Sequence, residues 1–372
     1  MRSSVLSHRP AVVLTILASL FFGTFTIPDL IPDAEAATSR DKKKISKLKK
    51  TVKKLKRQLM TQRPILVPAT PPFIEMVTVG NAGNAADPLN SGSVPGIGAV
   101  AAAFQIGKYE VTNAQYAVFL NAVAETDTSG LFDANMELDA RSGITQFGTS
   151  PNFHYTTKPF MGDKPVGHVD FWDCCRFCNW LHNGMPSGLQ SAGTTETGAY
   201  DLTLPGAIAG NTVVRSAGAK FFIPTEDQWY KAAYHQPAAS GGDTDDYWLY
   251  PTKSNAVPTV GTVNAIGEIT NDNGNIANYF SGADWDSNDD ASVENGNVTT
   301  VGSGGPGSAS PYGASDMAGN VWEWNETIIS TSLRGLRGGP WSDGESNLRS
   351  SNQNNFNPDF DTGSFGFRVA SP

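Results

Sequence analysis

Cysteine is nearly missing from this chain: three occur in 372 residues, Cys174, Cys175 and Cys178, all in one predicted helix. An exported protein braced by disulfides carries a dispersed, even-numbered set, so no disulfide framework is expected. Adjacent cysteines pair poorly. Cys175 and Cys178 make a lone C-x-x-C, and neither His168 nor His182 supplies the matching pair a zinc site needs. Buried thiols on a helix are the plain reading. Histidine is scarce as well, with five in all. An iron site of two His and one carboxylate would have to draw on His154, His168 and His182 with Asp170 or Asp173, and a single H-x-D at 168–170 is a weak signal for it. No G-x-S-x-G elbow is present, and the Gly-rich turn at 303–307 has no lysine to hold a phosphate.

Basic residues are scarce where a globular body would be. Twelve of the 27 Lys and Arg fall within residues 40–63, where Asp41 is the one acid. From residue 64 onward 13 basic face 32 acidic residues, 13 − 32 = −19. Nucleic-acid binding by this body is excluded, because phosphate neutralisation needs clustered Lys and Arg. Long apolar runs are also missing after the N-terminus. The one at Ala11–Ile27 follows Arg2 and Arg9 and precedes Ala34-Glu35-Ala36, the pattern of a secretory signal cleaved near Ala36. An uncleaved anchor is the alternative, but Gly23, Pro28 and Asp29 interrupt or end the run.

Four segments follow: a signal at 1–36, a Lys-rich helical segment at 37–63, a Pro-rich linker at 64–72 and a domain at 73–372. In the second, Ile45, Val52 and Leu59 share one heptad seam position, and Leu48 and Leu55 the other. Fewer than three heptads of one charge sign make an unaided coiled coil marginal. Oligomerisation through this stalk, contact of its basic face with an anionic membrane or cell wall, and a solvated linker all stay open. Pro64, Pro68, Pro71 and Pro72 end any helix. Within the domain, Thr112 with Gln115 and Thr225 with Gln228 have the spacing of capping boxes, and Asp170 can cap a middle helix. Long stretches at 125–160, 184–218, 236–275 and 281–310 carry little pattern and read as loops.

The densest signal is PYGASDMAGNVWEW at 311–324. Asp316 and Glu323 bracket a turn on Gly319, so side-chain and main-chain oxygens can converge as calcium requires. A Gly turn with Trp322 and Trp324 as core anchors is the alternative. This string, with FQIGKYEVTNAQYAVFL (104–120), PVGHVDFWDCCRFCNWL (165–181), FFIPTEDQWYKAAY (221–234), RGGPW (337–341) and SFGFRVA (364–370), resembles the formylglycine-generating enzyme (sulfatase-modifying factor) family, in family order across about 73–372. The resemblance implies an α+β, C-type-lectin-like domain with few short helices and strands and much irregular structure. It implies calcium ligation by Asp316 and Glu323 side chains and by Gly319 and Val321 carbonyls. A second site would use the Asn278 side chain and the Tyr279 carbonyl, with Asp289, Asp290 or Glu294 as further candidates.

The family's oxidases bind copper through two cysteines after the RGGSW-like segment, a soft-ligand choice suited to Cu(I). Here Asp343 and Asn347 fall near those positions, and no cysteine follows Cys178. Copper and the oxidase reaction are therefore not expected. Asn347, Asn352, Asn354, Asn355 and Phe356 instead have the composition of a recognition surface. They resemble the ligand-facing region of lectin-fold binding proteins, including the variable proteins of diversity-generating retroelements; a polar loop fixed by its own hydrogen bonds is the other reading. Arg337 and Arg368 are expected to tie this region to carboxylates in the core. The expectation is an exported, calcium-stabilised, non-catalytic module binding a polypeptide or glycan. An oxidase or accessory enzyme with another metal arrangement, and a structural envelope protein, are the alternatives.

Overall fold

A computed structural model describes residues 73–88, 96–271, 273–285 and 296–372, with Lys50 alone before them. The chain divides into two units, Met1–Pro64 and Ile65–Pro372. The signal, almost all of the stalk, the linker, and Asp289, Asp290 and Glu294 lie outside the described residues. Among the described residues, no helix is long and apolar enough to cross a membrane.

The elements are short, and their order is α+β. Strand β1 (Met76–Val79) pairs antiparallel with β2 (Phe104–Gly107). Helix α1 (Asn113–Val123) follows, then a single helical turn α2 (Asn135–Leu138), hairpin strands β3 (Ile144–Phe147) and β4 (His154–Thr157), and helix α3 (Phe171–His182). After helix α4 (Glu226–Tyr234) come β5 (Thr259–Val260), β6 (Ile276–Ala277), β7 (Trp322–Ser330), β8 (Leu333–Arg337), β9 (Asn354–Phe356), β10 (Phe365–Gly366) and β11 (Ala370–Ser371). One sheet has the order β1-β2-β11 and another β10-β7-β8-β9. The first therefore sets the last strand beside the second, joining the two ends of the domain.

Local chemistry explains where the helices begin. Thr112, Asp170 and Thr225 are N-caps, each in a complete capping box with Gln115, Asp173 and Gln228 respectively. In α1, Tyr116, Phe119, Leu120 and Val123 fall on one buried face with the i, i+3, i+4, i+7 spacing of an amphipathic helix. That face meets α3 through edge-to-face rings, Phe119 against Phe177 at 5.3 Å, and Phe177 in turn against Phe367 at 5.4 Å. The three cysteines are free and buried on α3. Burial pushes their thiols well above the usual range, so they are protonated packing groups.

The stretch 125–160 departs from the sequence expectation of a loop, since it holds α2 and the β3–β4 hairpin. Each strand has four residues, too few for alternation to register, and the turn between them holds no Asn-Gly or Asp-Gly signal.

Buried cations tie the irregular segments to this frame. Arg368, fully buried, donates from Nε and Nη2 to the two oxygens of Glu323, each at 2.6 Å. Its remaining donors reach the carbonyls of Gly107 at 2.9 Å and Ser315 at 3.0 Å. Arg337 donates from Nε to Glu226 Oε1 at 2.8 Å and from Nη1 to the carbonyls of Ser350 and Asn352. Both arginines thus do what the sequence led one to expect. His168, with φ 55°, faces Asp361 Oδ1 at 3.2 Å through Nδ1 and Asp139 Oδ2 at 3.3 Å through Nε2. Burial lowers its pKa, but the two carboxylates outweigh that and raise it to about 9.

Two outcomes follow for stability. Arg368→Met leaves Glu323 buried without its counter-charge and should cost about 3–5 kcal/mol, against about 1 kcal/mol for the cap variant Thr225→Ala, in urea denaturation. Equal costs would contradict the role given to Arg368. His168 has a folded pKa above its unfolded one, so its contribution is complete below about pH 6.5 and disappears as pH rises through about 9. With chelator present, the melting temperature should fall over that window, and His168→Asn, which tolerates the positive φ, should flatten the fall. Parallel curves for the two proteins would contradict it.

Candidate functional site

Gly319 sets the geometry of the 311–324 turn. Its φ is 83°, and a Cβ there would stand 2.1 Å from the carbonyl oxygen of Asn278. Only glycine allows the close parallel bridge between Asn278 and Gly319. Asp316 and Asn320 flank it, also with positive φ, 56° and 65°. Val321 is buried, and β7 begins at Trp322. The turn therefore carries Glu323 directly into the core.

Three carboxylates share that interior. Both Glu323 oxygens are engaged, by Arg368 and, at Oε2, by Trp229 Nε1 at 2.7 Å. Asp316 Oδ2 accepts the Gly302 amide, and loss of water raises its pKa to about 6. Glu110, 1% exposed, receives Asn320 Nδ2 on Oε1 at 3.1 Å while Oε2 has no hydrogen-bond partner. Burial, and then Asp316 nearby, push its carboxyl well above the usual range. Against three carboxylates stands one guanidinium, a surplus of 3 − 1 = 2 negative charges if all ionise. The three do not converge within 4.8 Å of one another; among the described residues the trio that does is Asp133, His168 and Asp361. Asp316 also lines a small cleft with Gly302, Gly304, Gly305, Ser308 and Ser315. Glu110 was missed from sequence. It sits in the YEVTN block, a charge between Tyr109 and Val111, and that placement was the available signal.

Asn278 is 3% exposed, and its Oδ1 also lacks a partner. Its Nδ2 donates to the Asn297 carbonyl at 2.9 Å and to Asn320 Oδ1 at 3.2 Å, and Thr299 N donates to the same Asn320 oxygen at 2.8 Å. Asn297 and Thr299, not foreseen from sequence, therefore stand beside Asn278. The Tyr279 carbonyl accepts the Gly282 amide at 3.2 Å.

Hydrogen bonds carry the surface formed by 337–360. Asn352 Nδ2 donates to Asn347 Oδ1 at 3.0 Å, and Asn347 Nδ2 to Asp343 Oδ2 at 2.7 Å. Asp343 and Asn347, the positions matched to the oxidase cysteines, are thus neighbours joined by their side chains. Asn354, Asn355 and Phe356 form β9 at the edge of its sheet, and Phe356 stacks on Phe360 at 5.0 Å. Phe280, 69% exposed, adjoins Asp343 through its amide, and Ser281 adjoins Trp341 in the same way, at 2.8 Å each. Phe280 and Ser281 have φ of 54° and 56°. Two consecutive non-glycine residues in the left-handed region cost of order 1–3 kcal/mol each, strain of the kind that gathers at binding sites. Trp341 Nε1 is buried without a partner, and the Arg141 guanidinium lies 4.7 Å from the Trp341 ring.

Several solved structures are similar. That of CarF is 18% identical, covering 80% of this chain and 98% of its own, with a TM-score of 0.46. The Treponema denticola variable protein 1 is 19% identical over 80% and 94%, with a TM-score of 0.45. PvdO from Pseudomonas aeruginosa is 17% identical over 80% and 94%, with a TM-score of 0.44. No curated protein matches the chain. Residues 65–372 match the model of the sulfatase-modifying factor enzyme 1-like domain, and the expected mostly irregular α+β architecture is the one described above. The chain belongs to the sulfatase-modifying factor (formylglycine-generating enzyme-like) family.

Proposed function

We propose that this is a calcium-supported, non-catalytic recognition domain of an exported protein, holding a polypeptide or glycan on the face around Phe280, Trp341 and Asp343. The observation that carries this reading is the Asp343–Asn347 hydrogen bond of 2.7 Å. It stands where an oxidase would keep its copper thiolates, and the chain's three thiols are buried on α3, protonated. An exposed aromatic ring beside amides and a carboxylate suits a peptide backbone or a sugar, each of which offers apolar faces and paired donors and acceptors. Asn347 and Asn352 join Asp343 through side-chain hydrogen bonds, and Asn354, Asn355 and Phe356 of β9 are the further candidates for contact with ligand.

Calcium fits the buried charge better than it fits a closed ring of carboxylates. A divalent ion near Asp316 and Glu110 would offset the surplus of two negative charges, and the orphaned Oε2 of Glu110 is a free acceptor. Gly319 and Val321 carbonyls would complete it, with Glu323 contributing charge through its pair with Arg368. At the second position Asn278 Oδ1 is the available oxygen. Asn297 and Thr299 would stand beside it, while Tyr279 lends a carbonyl already used once. Export rests on the N-terminal pattern, and the basic 40–63 segment suits an anionic surface outside the body of the domain.

The test is a peptide and glycan array probed with the full chain, in calcium and again in EGTA. Binding should occur in calcium, fall at least about tenfold with Phe280→Ala (the loss of one anchoring ring), and weaken in EGTA together with the melting temperature. Hits that Phe280→Ala leaves unchanged would place recognition elsewhere. A melting temperature indifferent to EGTA would remove calcium from the account.

A further inference from the structure

A second cluster lies away from the 311–324 turn, where Asp133, Asp139, His168 and Asp361 meet. We propose that Asp133, His168 and Asp361 bind one divalent first-row transition ion of the zinc class, with Asp139 orienting the imidazole from its far side. Two carboxylates converge on one ring nitrogen: Asp361 Oδ1 lies 3.2 Å and Asp133 Oδ1 3.9 Å from His168 Nδ1. One N–H can serve the first and leaves the second beyond hydrogen-bond reach. A metal ion serves both. Ligands about 2.1 Å from a tetrahedral ion lie about 3.4 Å apart, and these atoms already fall within 4.8 Å of one another. Asp133 and Asp361 are about a third exposed, so their side chains can close the remaining gap without moving the core.

The other nitrogen carries the arrangement that metal-bound histidines use. Nε2 faces Asp139 Oδ2 at 3.3 Å, fixing the tautomer and leaving Nδ1 to the ion. Asp139 is itself held, its Oδ1 by the Arg141 amide at 2.9 Å and its carbonyl by Lys158 Nζ at 2.7 Å. His168 is 8% exposed, and its amide donates to the Thr362 carbonyl at 2.9 Å, so the ring is presented by fixed backbone. Charge points the same way. Three carboxylates around one imidazole leave a surplus of 3 − 1 = 2 negative charges even with the ring protonated, and 3 − 2 = 1 with a divalent ion on a neutral ring.

Ser142, 2% exposed, keeps its hydroxyl oxygen buried with no hydrogen-bond partner. It lies on the Asp139 side of the ring, away from the ion: a carbon added to Gly363 would lie 2.7 Å from Asp139 Oδ2, 3.1 Å from His168 Nε2 and 3.6 Å from Ser142 Oγ. Glycine at 363 keeps any side chain off the Asp139–Nε2 contact that orients the imidazole. Imidazole with carboxylates favours zinc, manganese or iron over calcium, which takes an all-oxygen shell. With three protein ligands and a solvent-facing side, the ion would keep an open position and would clip the Asp361 loop to the Asp133 loop.

The experiment is isothermal titration of the metal-stripped full chain with zinc, repeated with excess calcium, and cobalt absorption to report the coordination. One zinc per chain should bind, calcium should not displace it, and Asp133→Asn and Asp361→Asn should each abolish the site. Asp139→Asn, which spares the three ligands, should weaken it about 10–100-fold. Near-UV circular dichroism checks that the variants, altered at part-exposed positions, remain folded. No zinc uptake by the wild type, displacement by calcium, or wild-type affinity in both Asp133→Asn and Asp361→Asn would each overturn the proposal.

Discussion

The buried pair of Arg368 and Glu323 is the constraint on which the rest of this domain depends. Both side chains are fully buried, and their contacts add to the strand pairing by tying β7, the end of β2, α4 and the irregular turn at Ser315 to one point. Arg368 reaches back to Gly107 at the end of β2 and across to Ser315 in the 311–324 turn. Glu323 fixes Trp229 of α4. An ion pair costs several kcal/mol per charge to desolvate, and only a bidentate geometry with every donor used recovers it. Here the recovery is nearly complete, and the same contacts position β2, α4, β7 and the C-terminal strands around one point.

That point is also where charge is left over. Asp316 and Glu110 enter the same interior without a cation of their own, and both carboxyls are held above their ordinary range. The geometry around Gly319 keeps this interior close to the Asn278 turn, and the next residues, Phe280 and Ser281, bring strain and an exposed ring to the surface. Buried charge and an exposed, strained aromatic turn are therefore neighbours along one short stretch of chain. The positions matched to oxidase cysteines lie against it, carrying an amide and a carboxylate that hydrogen-bond to each other. Such groups can hold a ligand's polar atoms but cannot cycle Cu(I) as thiolates do.

What the sequence made legible was local. Thr112 and Thr225 declared their helices because a cap and its partner sit three residues apart, and Asp170 as a possible cap alone. The buried thiols of α3 followed from the lack of partners. Arg337 and Arg368 could be assigned to core carboxylates because each lies in a motif with no solvent-type neighbours. The short hairpin at 144–157 escaped, since four-residue strands carry too few alternations. Glu110 and Asn297 escaped for a different reason. The placement of Glu110 between Tyr109 and Val111 was a signal of its burial, but the partners lie far along the chain, Asn320 for Glu110 and Asn278 for Asn297. The Asp133, Asp139, His168 and Asp361 cluster belongs to the same class, with 193 residues separating His168 from Asp361.

The central proposal is that the family fold is kept here without the oxidase chemistry. Mass spectrometry of a C-x-P-x-R peptide incubated with the full chain, with copper, iron and calcium supplied separately, tests it most directly. A peptide recovered unchanged from a folded protein is the result expected of a domain with Asp343 and Asn347 in place of thiolates. Conversion of its cysteine to formylglycine would contradict that proposal.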